Sequence, residues 1–377
     1  MKKPYLMRRG AAPVLALFLA LALLAGCGGA GAPAEADVPE PAEPVPAEAA
    51  ETPAAAGPEE LTAPAVVDDG RARPSFCGHL QVKDGKLCSE SGEPVMLRGV
   101  STNSLITAES FLNDQLFREL SEDDGVNLFR LAMYTYGVGI VGYCTGGDKE
   151  RHIQDICDGV ELAKAHDMYV IVDWHILSDG DPNRYADDAE AFFADVAERF
   201  SSYDNVLYEI CNEPNNVDWA AVKQYAERII PVIREKDPDS VIIVGNPDWS
   251  KDLRSVAADP LGFDNILYTL HFYSATHGKE FRDMTEELSR NGLPIFVTEF
   301  GVTASSGGFP RDLESADSWI DLLERENISW CMWSFSKAPE PCSAVRSSVI
   351  GYSGFKPEDY TDTGTWLLET LSGHTGR

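Results

Sequence analysis

From about residue 75 onward, short apolar runs alternate with amphipathic stretches. The runs cover residues 95–101, 126–133, 168–174, 206–211, 241–245, 266–272, 294–300 and 328–334. Each is rich in Val, Ile, Leu and aromatic residues and nearly continuous, the pattern of a strand buried on both faces. Between them apolar residues recur at helical spacing, most clearly over 190–199 and 222–234. Asp148, Asp218 and Asp317 stand where helix N-caps are expected. Eight strands alternating with helices over about 300 residues predict an α/β fold, a single (β/α)8 barrel (TIM barrel) spanning 75–377. A doubly wound open sheet shares the alternation, but its usual Gly-x-Gly-x-x-Gly phosphate turn is absent.

The first 74 residues follow a different pattern. Lys2, Lys3, Arg8 and Arg9 precede an apolar stretch that ends in Leu-Leu-Ala-Gly-Cys at residues 23–27. A basic start, a short apolar core and small residues before a cleavage point predict a secretory signal over 1–26. The stretch falls short of the roughly 20 apolar residues a membrane span needs. Cys27 at the cleavage point resembles the lipobox of bacterial lipoproteins, which implies a lipidated N-terminus. An ordinary signal peptide with an incidental Cys is the alternative. Residues 27–74 are mostly Ala, Pro, Glu and Gly. Such a composition buries too little apolar surface to offset backbone entropy, so a disordered acidic tether is expected.

Composition narrows the partners. The chain has 377 residues, 31 Lys plus Arg against 61 Asp plus Glu, and a net charge of −30. Phosphate backbones would repel it, so nucleic acid is excluded as a partner. A membrane would be reached only through the lipid anchor, and a monomer is expected. With Cys27 set aside, seven cysteines remain, so at least one thiol is free. Cys77 and Cys88 flank a hairpin with Asp84-Gly85 at its turn; that register sets Cys88 opposite Gln81 and leaves a bridge open. Cys211 and Cys331 lie in apolar runs and read as buried thiols. With no CxxC, His-x-His or His-Glu-x-x-His spacing, neither metal nor cofactor is expected.

In a barrel, chemistry gathers where the strands end. Here those ends are polar: Arg130 on the second, Asp173-Trp174-His175 on the third, and Asn212-Glu213-Pro214 on the fourth. His271-Phe272-Tyr273 ends the sixth, Thr298-Glu299-Phe300-Gly301 the seventh, and Trp333-Ser334 the eighth. Unpaired burial of such groups is unfavourable, so their convergence points to a site. Two glutamates on opposed strands suit glycosidic cleavage, with one protonated to assist departure and one ionised to attack.

Six segments carry a family resemblance. They are Phe129-Arg-Leu-Ala-Met-Tyr-Thr, Val172-Asp-Trp-His-Ile-Leu-Ser-Asp, Tyr208-Glu-Ile-Cys-Asn-Glu-Pro-Asn, Leu270-His-Phe-Tyr-Ser-Ala-Thr-His, Phe296-Val-Thr-Glu-Phe-Gly and Trp333-Ser. In this order they resemble glycoside hydrolase family 5, close to its secreted bacterial endoglucanases. The resemblance implies a retaining β-1,4-glucanase acting on β-glucan at the cell surface, without cofactor or metal. It implies Glu213 as acid/base and Glu299 as nucleophile. Asn212 would bind the sugar 2-hydroxyl, and Tyr273 would hold the nucleophile. Arg130, His175 and His271 would form the polar surroundings. Trp333 would be the platform at the cleaved sugar, and Trp249, in Asn-Pro-Asp-Trp-Ser, an aromatic contact on the leaving-group side.

The first strand end departs from the family. In Ser101-Thr-Asn-Ser-Leu-Ile-Thr-Ala, Asn103 stands where a His is expected and Thr107 where a stacking Trp is expected. Phe111 and Phe117 are the candidates to compensate, although Phe117 has core spacing. After the eighth strand, in Ser336-Lys-Ala-Pro-Glu-Pro-Cys, Glu340 matches a sugar-binding Glu while Lys337 falls one position early. A related β-glycan (xyloglucan, mixed-linkage glucan or mannan) is therefore an alternative substrate. A surface glycan-binding lipoprotein without turnover is the alternative class. Trp174, Trp219, Trp319 and Trp366 read as packing residues.

Overall fold

The computed structural model describes residues 69–137 and 141–373. The predicted signal segment, Cys27 and the tether up to residue 68 lie outside the described residues. Eight parallel strands close a barrel: β3 (Arg98–Ser101), β4 (Leu128–Tyr134), β5 (Tyr169–His175), β6 (Val206–Glu209), β7 (Ile242–Val244), β8 (Ile266–Tyr273), β9 (Ile295–Gly301) and β10 (Trp330–Trp333). Strand β10 pairs with β3 to complete the ring. A helix follows each strand: α1 (Asp114–Arg118), α2 (Lys149–Ala165), α3 (Ala186–Phe200), α4 (Trp219–Lys236), α5 (Leu253–Ala258), α6 (Lys279–Arg290), α7 (Leu313–Arg325) and α8 (Asp362–Ser372). A closed ring excludes the doubly wound sheet.

Local chemistry sets these helices. Helix α4 starts at Asp218, whose carboxylate accepts from the Ala221 amide at 3.0 Å. It buries Val222, Tyr225, Ala226, Ile229, Ile230 and Ile233, one stripe at helical spacing, and Arg234 and Lys236 oppose the helix dipole at its end. Asp148 caps α2 in the same way. The expectation for Asp317 is corrected: Asp312 caps α7, accepting from Ser315 at 2.9 Å. Ala316 extends the apolar stripe of Trp319, Ile320 and Leu323 backward, so the helix begins earlier. Asp317 instead accepts from Trp366 Nε1 at 2.7 Å.

The hairpin β1 (Gln81–Lys83) and β2 (Lys86–Cys88) pairs Gln81 with Cys88, as its turn predicts. All seven described cysteines are free thiols. The folded body starts earlier than residue 75, because Arg71 donates to the Ser121 carbonyl at 2.8 Å and Arg73 to its hydroxyl at 2.8 Å. Leu80, Leu87 and Val95 pack against the lower interior layer of Leu128, Ile171, Leu207, Ile243, Leu267 and Phe296.

Period-two alternation stacks the layers above this base. Two residues up from Leu128 is Arg130; from Ile171, Asp173; from Leu207, Glu209; from Leu267, Thr269 and then His271. Strand β9 carries one extra residue, since Thr269 pairs with Phe296 but His271 pairs with Glu299. Such a bulge re-aims side chains locally, and here both Thr298 and Glu299 reach the polar layer.

Candidate active site

Arg130 is the hub. Its fully buried guanidinium donates through Nε to Glu209 at 2.7 Å and through Nη2 to Asn212 Oδ1 at 2.6 Å. It also pairs with Asp173 at 2.8 Å and Glu299 at 3.3 Å. Three carboxylates thus surround a single cation. Removing one partner of such a buried set costs about 3–5 kcal/mol, because the remaining charges lose their compensation.

The network also fixes the two histidines. Asn212 Oδ1 accepts from Arg130, so its Nδ2 faces the Ile176 carbonyl at 3.0 Å and His175 Nε2 at 3.3 Å. His175 Nε2 therefore accepts, and its Nδ1–H donates to Asp173 at 2.6 Å. Burial, assisted by Arg130, holds His175 neutral down to about 3. His271 is held neutral down to about 4, chiefly by burial.

On the other side, Thr298 donates its single hydroxyl proton to Glu209 Oε1 at 2.7 Å. Its oxygen, 3.1 Å from His271 Nε2, can then only accept, so the imidazole proton sits on Nε2. His271 Nδ1, 2.9 Å from Glu213 Oε1, is left with a lone pair. Only a protonated Glu213 satisfies that contact. Burial independently pushes Glu213 up to about 8, against the opposing charges of Arg130 and Lys251. Glu299 stands in the opposite setting: Tyr273 donates to Oε1 at 2.8 Å and Arg130 lies 3.3 Å from Oε2. Burial raises its pKa, with His271 and Arg130 opposing, and its two donors match an ionised carboxylate. Ligand atoms of Glu213, His271 and Glu299 lie within 4.8 Å of one another. Such a trio has the spacing to hold a metal ion, but its oxygens already face His271, Tyr273 and Arg130. One carboxyl group in a protonated setting beside another in an ionised setting is the arrangement that acid-and-nucleophile chemistry needs.

The structure therefore brings Arg130, His175, Asn212, Glu213, His271, Tyr273 and Glu299 together as the sequence predicts. Trp249 lies on the wall of a cavity of about 280 Å³ beside Glu213 and Tyr273. The turn carrying it holds Asp248, Trp249 and Ser250 at φ of 59°, 56° and 55°. Left-handed conformations cost roughly 1–2 kcal/mol per side-chain-bearing residue. The Trp249 amide bonds the Pro214 carbonyl at 3.0 Å and the Ser250 hydroxyl bonds the Asn212 carbonyl at 2.6 Å. The turn is thus tied to the segment that carries Glu213. Trp333 is buried and stacks on His175 at 5.3 Å, so one of its faces is taken.

Glu340 accepts from Asn103 Nδ2 at 2.8 Å, joining the two unusual rim segments. Lys337 points elsewhere: it bonds the carbonyls of Val349 and Gly351 and lies over Tyr352. Phe111 and Phe117 are buried against Phe335 and Phe129, so neither replaces the Trp expected at position 107. The four tryptophans assigned to packing are all buried. Sequence reasoning missed Glu209 and Thr298. An acid inside the apolar run of β6 was the available signal, because a buried charge demands a partner. It also missed Lys251, which follows Trp249 into the same cavity. A larger cavity of about 720 Å³ lies at the opposite end of the barrel, where Arg98 is closed by a two-point pair with Glu324.

Comparison with known proteins agrees with this geometry. The profile of the family described as Cellulase (glycosyl hydrolase family 5) matches residues 88–339. Endoglucanase A of Butyrivibrio fibrisolvens is 39% identical over 301 residues, covering 79% of this chain and 69% of that protein. An endoglucanase of Clostridium saccharobutylicum is 39% identical over 304 residues, covering 80% and 67%. The catalytic domain of Thermobifida fusca endoglucanase Cel5A, solved with cellotetraose, superposes with a TM-score of 0.75 at 37% identity. That match covers 80% of this chain and all of that one.

Proposed function

This chain belongs to the cellulase family, glycosyl hydrolase family 5, and we propose that it cleaves β-glucan with retention, Glu213 acting as acid and then base and Glu299 as nucleophile. It is an endo-β-1,4-glucanase by its relatives. The observation that carries the mechanism is the pair itself, two carboxyl groups with oxygens within 4.8 Å in opposite protonation environments. Retaining pairs lie ~5–5.5 Å apart, whereas inverting pairs need ~6.5–9.5 Å to admit a water.

In the first step Glu299 attacks the anomeric carbon while Glu213 gives its proton to the departing oxygen. Arg130 and Tyr273 hold the attacking carboxylate in line. Once deprotonated, Glu213 faces the lone pair of His271 Nδ1. That contact disfavours the anion and makes Glu213 a stronger base toward the water that releases the product. Asn212, held by Arg130, binds the 2-hydroxyl, and Trp333, with Glu340 further out, binds the retained sugars. Trp249 stacks on the departing side.

Glu299→Gln should abolish release of reducing ends from carboxymethylcellulose while leaving folding and glycan binding nearly unchanged. Normal turnover in that variant would overturn the assignment. We further propose export and lipid anchoring at Cys27, on the strength of the residue 1–27 pattern, with the barrel monomeric at the cell surface. Fatty-acid labelling lost in Cys27→Ser tests the anchor. Asn103 and Thr107 keep a second β-glycan in view, and a panel of xyloglucan, mixed-linkage glucan and mannan ranks the substrates.

A further inference from the structure

The cavity of about 280 Å³ beside Glu213 holds one feature that the mechanism above does not use. Lys251 lines it together with Trp249, His277 and Tyr273. The Lys251 ammonium lies 5.3 Å from the Trp249 ring centre and 3.3 Å from Asp248. Asp248 is mostly exposed whereas the Lys251 side chain is only 19% so, which places the ammonium at the cavity wall and its counter-ion toward water. His277 accepts from the Tyr273 amide at 2.9 Å, and burial together with Lys251 holds it neutral down to about 4. With Glu213 protonated and Tyr273 un-ionised, Lys251 is the one formal charge among the described residues lining this cavity at neutral pH. That stands against a net charge of −30 for the chain.

We propose that Lys251 is a specificity-determining residue of the leaving-group side, whose ammonium grips an oxygen-bearing group of the departing sugar and favours a unit carrying a carboxylate over its neutral counterpart. The inference rests on the reading that this cavity receives the departing sugar. The turn geometry supports it. Three successive left-handed residues, tied to the carbonyls of Asn212 and Pro214, place Trp249 and then Lys251 in one wall with Glu213. An aromatic face and an adjacent cation are the two elements that bind a sugar ring and an anionic substituent.

The same charge acts on the acid. Lys251 opposes the upward push of burial on Glu213, so its removal should raise that pKa further. Glu213 also faces Arg130 and Asp173 from β4 and β5, Glu209 from β6, His271 and Tyr273 from β8, and Glu299 from β9. None of these changes in a Lys251 variant, which isolates the lysine.

The test compares wild-type protein, Lys251→Gln and Lys251→Arg on carboxymethylcellulose and on neutral hydroxyethylcellulose. At low salt, Lys251→Gln should lower the ratio of kcat/KM on the anionic to the neutral polymer by about threefold, the range of a part-exposed ion pair. The difference should fade in high salt. The basic limb of its pH profile should move upward, and Lys251→Arg should restore both readouts. An equal loss on both polymers with an unmoved pH profile would mean that Lys251 only braces the turn. An unchanged ratio would equally overturn the proposal. The wild-type rate on hydroxyethylcellulose reports separately on the hydrolase reading itself.

Discussion

Replacing Thr298 by Val removes one hydroxyl and almost no volume from the centre of the barrel. That hydroxyl donates to Glu209 at 2.7 Å and accepts from His271 at 3.1 Å, in a fully buried position. Three buried polar groups lose a partner, Glu209, His271 and the Thr269 hydroxyl, each worth about 1–3 kcal/mol, although Thr269 still accepts from the Thr298 amide. Glu209 keeps Arg130 at 2.7 Å, which places the total at the lower end, about 2–4 kcal/mol. The chemical consequence is separate. Without the Thr298 hydroxyl the imidazole proton on Nε2 loses its hydrogen-bond acceptor and faces only Glu209 at 4.0 Å, so it can move to Nδ1 and donate to an ionised Glu213. A hydrogen bond to a charged group is worth about 1.5–3 kcal/mol, and one pKa unit is about 1.4 kcal/mol. Glu213 should therefore fall from about 8 by roughly 1–2 units. The basic limb of kcat/KM against pH reports the acid of the free enzyme. Measured on a chromogenic cello-oligosaccharide between pH 5 and 10, it should move down by that amount in Thr298→Val and return in Thr298→Ser. A limb that stays in place while the melting temperature falls would refute the proton assignment and leave Thr298 a purely structural residue.

Two further outcomes follow from the same geometry. Glu213 is raised in the folded protein to about 8, so the folded state binds more protons than the unfolded one between the ordinary carboxylate range and that value. Stability attributable to this group is therefore lost as pH rises across that window, and Glu213→Gln removes the loss. The variant should be inactive yet more stable by about 2–4 kcal/mol at pH 8, with no gain near pH 4, as urea unfolding at the two pH values would show; equal stability at pH 8 would contradict the burial argument. Thr107→Trp restores an aromatic face at the first strand end, where Thr107 is exposed. It should lower KM for long cello-oligosaccharides by about 2–10-fold with kcat unchanged, in line with an aromatic contact of about 0.5–1.5 kcal/mol, and steady-state kinetics on cellohexaose decide it.

How far the sequence reached depended on the range of the interaction. The eight apolar runs, the helix stripes and the capping aspartates of α2 and α4 are local patterns, and they specified the barrel and its polar rim. Glu213 and Glu299 were legible because one lies just beyond β6 and the other in the last residues of β9, and the C-terminal ends of strands converge in a closed ring. Asp317 was mistaken for a cap because two aspartates five positions apart both fit local chemistry, and only packing of Ala316 and Trp366 chose between them. Glu209 and Thr298 showed in the sequence only as polar residues in or beside apolar runs, without a role. Their meaning lies in partners 79 and 89 positions away in sequence, which meet only once the layers stack.

The sequence by itself determined which side chains exist at the rim and, through period-two and helical alternation, which layer each would join. Tertiary structure alone decided their protonation. One extra residue in β9 brings Thr298 and Glu299 into the same polar layer, and the barrel wall removes water from around Glu213. A carboxyl group takes its charge state from neighbours and solvent, and both are fixed only when the ring closes.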